Sequence, residues 1–158
     1  MQNLKPRKLY ETPYDRTRQI AIAEQLAETW GAEFIELPRK SVFDYAVMIG
    51  KDLQAWVEVK YRNNTKTKFN EYMVSFAKVQ AGKRFNEDTQ KPALLVCEWT
   101  DLTHMIDLAH CDFRVGWGGT QKRDDPEDME PMAFIDIDQF KPIQWLKFGN
   151  KRIVLPDE

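Results

Sequence analysis

Residues 43–62, FDYAVMIGKDLQAWVEVKYR, decide how this chain is read. Two runs rich in β-branched and aromatic residues flank Gly50-Lys51-Asp52, a connection of the length that joins antiparallel strands, so a β-hairpin is expected. If the loop centres on Lys51, position 49 faces 53, 48 faces 54, and Asp44 faces Glu58. Glu58 and Lys60 lie two positions apart on one strand and therefore share a face. Two carboxylates directly opposed on a sheet, with Cβ atoms roughly 5 Å apart, repel each other unless a positive charge lies between them. A divalent cation is the economical candidate, and Lys60 adds a fixed positive charge on the same face. Trp56, Val57 and Val59 read as part of a strand covered on both sides, where two unpaired carboxylates would be expensive. The plainer alternative makes Glu58 and Lys60 exposed residues of an edge strand.

Working outward, 158 residues suffice for one domain, 1–158, with a substantial core. The net charge of −2 is unevenly spread: residues 1–91 hold 16 Lys and Arg against 12 Asp and Glu, and the rest hold 7 against 13. Such a balance excludes a protein that coats nucleic acid nonspecifically, yet leaves room for a local basic patch. Lys60, Arg62, Lys66 and Lys68 form one just after the hairpin, unless they are only a solvated charged loop. Met1 to Lys8 is polar and no stretch approaches about 20 apolar residues, so neither a signal peptide nor a membrane span is expected. Cys97 and Cys111 are the only cysteines. Cys97 sits in an apolar strand pattern, and a buried thiol in a reducing cytoplasm fits better than a disulfide.

A helix is expected from about Tyr14 to Trp30, stopped by Gly31. Its apolar stripe is Ile20, Ala23, Leu26, Ala27 and Trp30, with Gln19 in the middle and Glu24 and Glu28 opposite. Glu33 to Leu37 reads as a short strand ahead of the hairpin. Asn70 to Arg84 reads as a second helix with Tyr72, Met73, Phe76 and Val79 on its apolar face, Gln80 among them, and Ser75 and Lys78 on the other side. The continuous apolar run Pro92 to Trp99 suits a strand buried on both faces. Asp101 to Ala109 reads as a short helix or loop, Phe113 to Trp117 as a strand, Gly118 to Pro131 as a polar loop and Phe134 to Asp138 as a late strand. The fold class is α/β (mixed α+β), a mixed central sheet flanked by helices, with a core of about 14–99 and a small β-rich C-terminal extension of about 100–158.

This order, together with Asp44 and Glu58-Val59-Lys60, resembles the PD-(D/E)XK nuclease superfamily, with its restriction-endonuclease-like αβββαβ core shared by Holliday-junction resolvases. The remainder is similar to small phage and prophage members. The matching segments are Thr12-Pro13-Tyr14-Asp15, then Tyr72, Ser75 and Lys78, then Gly118-Gly119 through Arg123, Asp125, Asp128 and Glu130-Pro131. Two departures stand out. Phe43 precedes Asp44 where the family name has proline, and Gln19 occupies the first-helix position where the family usually has a glutamate.

The resemblance implies a metal-dependent phosphodiesterase acting on DNA, with RNA still open, in the cytoplasm and with a homodimer among the expected partners. It implies Mg²⁺ or Mn²⁺ held by Asp44, Glu58 and the Val59 carbonyl, with Lys60 orienting water and countering charge. Gln19 becomes an outer ligand or water partner, and Arg62, Lys66, Lys68, Lys78 and Gln80 become substrate contacts, although Lys78 and Gln80 read more plainly as surface and core residues. His104 and His110, six apart, lack the i, i+4 spacing useful for zinc and read as loop residues. The competing expectation is a nuclease fold weakened at Gln19 and kept as a DNA- or protein-binding module.

Overall fold

The computed structural model describes residues 13–118, 129–143, 147–148 and 151–152. Helix α1 (Pro13–Trp30) is followed by strands β1 (Glu33–Glu36), β2 (Tyr45–Ile49) and β3 (Asp52–Tyr61). A 3₁₀ turn (Lys66–Lys68) then leads to β4 (Glu71–Ser75), α2 (Phe76–Thr89) and β5 (Ala93–Glu98). Strands β6 (Thr103–Asp107), β7 (Arg114–Gly118) and β8 (Glu130–Asp136) follow, with short β9 (Lys141–Pro142), β10 (Lys147–Phe148) and β11 (Lys151–Arg152) behind them. The main sheet has the order β1-β2-β3-β5-β6-β9, and a second sheet has β4-β8-β7. Strand β3 runs parallel to β5 and antiparallel to β2, so the central sheet is mixed, as the interleaving of helices and strands implies. No helix among the described residues is long and apolar enough to cross a membrane.

The central strands separate two apolar clusters by simple alternation. Ala55, Val57 and Val59 of β3, with Leu94 and Val96 of β5, pack under Ile22, Ala23, Leu26 and Trp30 of α1. Ala93, Leu95 and Cys97 face the other way, into a cluster with Val79 and Ala81 of α2 and Tyr72, Val74, Ala133 and Ile135 of the second sheet. Cys97 is a buried free thiol, as expected, Cys111 is another, and burial pushes the Cys97 pKa up to about 12.

Helix α1 ends where expected. Gly31 takes φ +59°, Gly31 N–H donates to Glu28 O and Ala32 N–H to Ala27 O, the paired bonds of a Schellman cap. Its phase differs slightly from the expected stripe: Ile22 is buried and Ile20 is 38% exposed.

Two segments depart from the reading of the sequence. Asn70 to Arg84 is not one helix, because Glu71–Ser75 is a strand and α2 begins only at Phe76 and runs to Thr89. Tyr72 and Val74 alternate inward while Met73 is 40% exposed, and β8 pairs with all of β4, from Glu71↔Asp136 to Ser75↔Met132. That partner lies some sixty residues away, and long-range pairing of β-prone Tyr and Val overrides the local helical pattern. Asp101 to Ala109 likewise holds a strand, β6, lying between β5 and β9.

Candidate active site

The hairpin brings Asp44 and Glu58 together by a route the sequence did not indicate. The turn is only Gly50-Lys51, with Gly50 at φ +61°, and the pairs beside it are Ile49↔Asp52 and Met48↔Leu53. A bulge then leaves Gln54 without a partner, and pairing resumes at Val47↔Ala55, Ala46↔Trp56 and Tyr45↔Val57. The turn is one residue shorter than expected and the bulge adds one back. Beyond it the register is the expected one.

Asp44 stands just ahead of β2 and is fixed at three points. Its N–H donates to Val57 O (3.0 Å), its carbonyl accepts from Leu37 N–H (2.9 Å), and its side-chain Oδ2 accepts from Val59 N–H (2.8 Å). The side chain thus completes the sheet edge where β2 stops. A strand residue directs its N–H and C=O to the same neighbour, so the Val59 carbonyl is aimed at this side as well. Burial, and then the charge of Glu58, raise the Asp44 pKa to about 6 against the lowering by the Val59 N–H, Lys60 and Lys78.

Glu58 is only 4% exposed and projects from the α2 face of β3, with Lys60 on the same face beside Cys97 of β5. Lys78, in the first turns of α2, donates to Glu58 Oε1 at 2.5 Å and to the Val42 carbonyl, with its ammonium 5.6 Å from the centroid of the Phe43 ring. Phe43, in the place of the superfamily's proline, is a core residue packed against Phe85, the two rings tilted by 53°. Lys60 has no ion-pair partner among the described residues.

The structure therefore assembles Asp44, Glu58, Val59 and Lys60 and adds Lys78, whose side of the helix the sequence had favoured as plain surface. Of the other named residues, Arg62 borders the same cluster through Tyr72 and Cys97, and Gln19, Gln80 and Lys66 are placed elsewhere or have partners of their own. Gln19 is buried at 8% in line with Ile22, Ala23 and Leu26, on the helix face that packs against the opposite side of the sheet. Gln80 is exposed on α2 rather than among core residues. Lys66 is an internal strut: its ammonium donates to His104 Nδ1 and to the Phe140 carbonyl, both at 2.9 Å. Burial lowers the pKa of both Lys66 and His104, consistent with an ammonium donating to a neutral imidazole. His104 belongs to β6, not to a loop, and His110 pairs with Asp107. Arg62 stacks on Tyr72 at 5.1 Å, and exposed Lys68 lies over Phe69. Gly119, Arg123, Asp125 and Asp128, and Thr12 at the other end, lie outside the described residues.

Arg39 and Lys40 are two further exposed cations in the loop that leads to Asp44. They sit in the exposed turn Pro38–Ser41, closed by Ser41 N–H to Pro38 O at 2.8 Å, and neither has a partner among the described residues. Pro38-Arg39-Lys40-Ser41 stands two residues upstream of Asp44, separated from it by Val42-Phe43.

The donor set fits a hard divalent cation. Asp44 Oδ1 and Glu58 Oε2 carry no hydrogen bond among the described residues, and no group of three or more His, Cys, Asp or Glu side chains converges there. Two carboxylates and a carbonyl suit Mg²⁺ or Mn²⁺, which complete their shells with water and phosphate oxygens; they do not suit zinc.

The family described as "Phage putative PDDEXK endonuclease" matches residues 5–143. Among solved structures, the chain is similar to Hjc, a Holliday junction resolvase from the archaeal hyperthermophile Archaeoglobus fulgidus. The TM-score is 0.52 at 14% identity, over 78% of this chain and 90% of that one, a likeness of fold. No curated protein matches.

Proposed function

This chain belongs to the phage PDDEXK endonuclease family, and from that premise we propose that it hydrolyses DNA phosphodiester bonds with a divalent cation, in phage DNA processing in the cytoplasm. The observation that carries the reading is the pair Asp44 and Glu58, close enough for the charge of Glu58 to raise the Asp44 pKa and largely removed from water, with the Lys60 ammonium, which forms no ion pair among the described residues, on the face of Glu58. Asp44 Oδ1, Glu58 Oε2 and the Val59 carbonyl would hold Mg²⁺ or Mn²⁺. Such an ion, when bound, supplies charge neutralisation at the phosphate and acidifies water. The Val59 N–H pins Asp44 Oδ2 and so fixes the direction of its other oxygen. Lys60 orients the attacking water and offsets the charge that builds on the phosphate oxygens. In the metal-free protein Lys78 holds Glu58 from the α2 side, with its ammonium over the Phe43 ring. Gln19, behind the sheet, has no part in this scheme.

Supercoiled, linear, single-stranded and four-way DNA, each incubated with Mg²⁺, Mn²⁺ or EDTA, test the reading. Cleavage of at least one substrate that stops with chelator is expected. No cleavage of any DNA, or cleavage indifferent to chelator, would overturn it, and an RNA arm checks the polymer.

Arg39 and Lys40 supply phosphate contacts next to Asp44. The double substitution Arg39→Ala, Lys40→Ala should weaken DNA binding uniformly across sequences and reduce the slope of log K against log salt by about 2. Fluorescence anisotropy at several salt concentrations reads this, and an unchanged slope removes the turn from the interface.

A further inference from the structure

We propose that Lys78 is a built-in counter-ion that occupies the cation position of Glu58 in the metal-free protein and must yield it when a divalent ion binds. The inference rests on the metal reading above and extends it to a residue that sets the affinity of the site. Three groups converge on the Lys78 ammonium: Glu58 Oε1 at 2.5 Å, the Val42 carbonyl, and the face of Phe43 at 5.6 Å. The Lys78 and Glu58 side chains are only 12% and 5% exposed. A carboxylate so deeply placed is costly unless a cation is paired with it, and Lys78 is that cation. Lys60 cannot substitute in this role, because it forms no ion pair with either acid among the described residues.

The same placement makes Lys78 a competitor. Two positive charges a few ångströms apart in a half-buried site repel strongly, so an ion arriving at Glu58 has to displace the ammonium. The Val42 carbonyl and the Phe43 ring remain as contacts for the displaced lysine. A residue serving only to pack α2 would not influence metal affinity in this direction.

The test is direct Mn²⁺ binding to the full chain without DNA, by calorimetry or by electron paramagnetic resonance of free Mn²⁺. Lys78→Met should bind Mn²⁺ about ten-fold or more tightly than wild type, while Lys78→Arg stays within about two-fold. Lys78→Gln, which can still hydrogen-bond Glu58 and Val42, gives the same readout should the methionine variant fail to fold. Wild-type binding with no tightening in a folded Lys78→Met or Lys78→Gln protein overturns the counter-ion role and leaves the metal reading standing. No Mn²⁺ binding by wild type or variant removes the metal reading, and this inference with it. Binding by the variant alone supports the proposal in its strongest form.

Discussion

Lys60→Ala is expected to lower metal-dependent DNA cleavage about 10²–10⁴-fold while shifting the melting temperature by no more than about 1–2 °C. The asymmetry follows from the position of Lys60. It projects from the same face of β3 as Glu58, half-buried, with no ion pair among the described residues, so the folded protein loses little when its ammonium is removed. A phosphodiester passing through a more highly charged state would lose its nearest fixed positive group. Lys60→Arg keeps the charge but replaces a compact ammonium by a planar fork, and should recover only part of the rate. Single-turnover cleavage beside a thermal melt separates the two quantities. Cleavage by Lys60→Ala within ten-fold of wild type would show that the amine does not serve the reaction.

Asp44→Asn is expected to stabilise the metal-free protein and abolish its cleavage. Burial and Glu58 raise the Asp44 pKa from 3.8 to about 6, so between those values the folded chain holds a proton that the unfolded chain has released. Stability attributable to this group is therefore greatest below pH 3.8 and is lost as pH rises to about 6. At pH 7 and above the ionised side chain costs on the order of 2–3 kcal/mol. Asparagine can still accept from the Val59 N–H but carries no charge. The gain should be several degrees of melting temperature at pH 7.5 and should shrink toward nothing near pH 4. Adding Mn²⁺ should reverse the order: wild type rises and Asp44→Asn does not. A variant that melts below wild type at pH 7.5 without metal would contradict the repulsion inferred between the two acids. The trade is a familiar one, a working site held at the expense of fold stability.

Much of the fold was legible because its signals are local. Gly31 ended α1, the apolar run before Trp99 gave β5, and the spacing of Glu58 and Lys60 put both on one face. The segment from Asn70 to Ser75 was not legible, since its strand depends on β8, which lies far along the chain. Gln19 shows a different limit. Its helical phase was read correctly as inward, but inward meant the α1 side of a sheet whose acids face α2. Phase says which way a side chain turns, not which layer it enters. The contacts of Lys66 were not legible, because nothing nearby in sequence announces His104 and Phe140 as its partners. Lys78 was undervalued for the same reason: its polar side of the helix meets a buried acid rather than water.

The short Gly50-Lys51 turn and the unpaired Gln54 carry a consequence for the history of this hairpin. A one-residue slip moves every later side chain of a strand to the other face. An insertion within the turn lengthens the loop and leaves the pairing as it is, whereas an extra residue within the strand has to be absorbed by a bulge such as that at Gln54 or it turns the strand beyond it over. Relatives with longer turns should therefore keep their two acids opposed across the ladder while the number of residues between those acids grows with the turn.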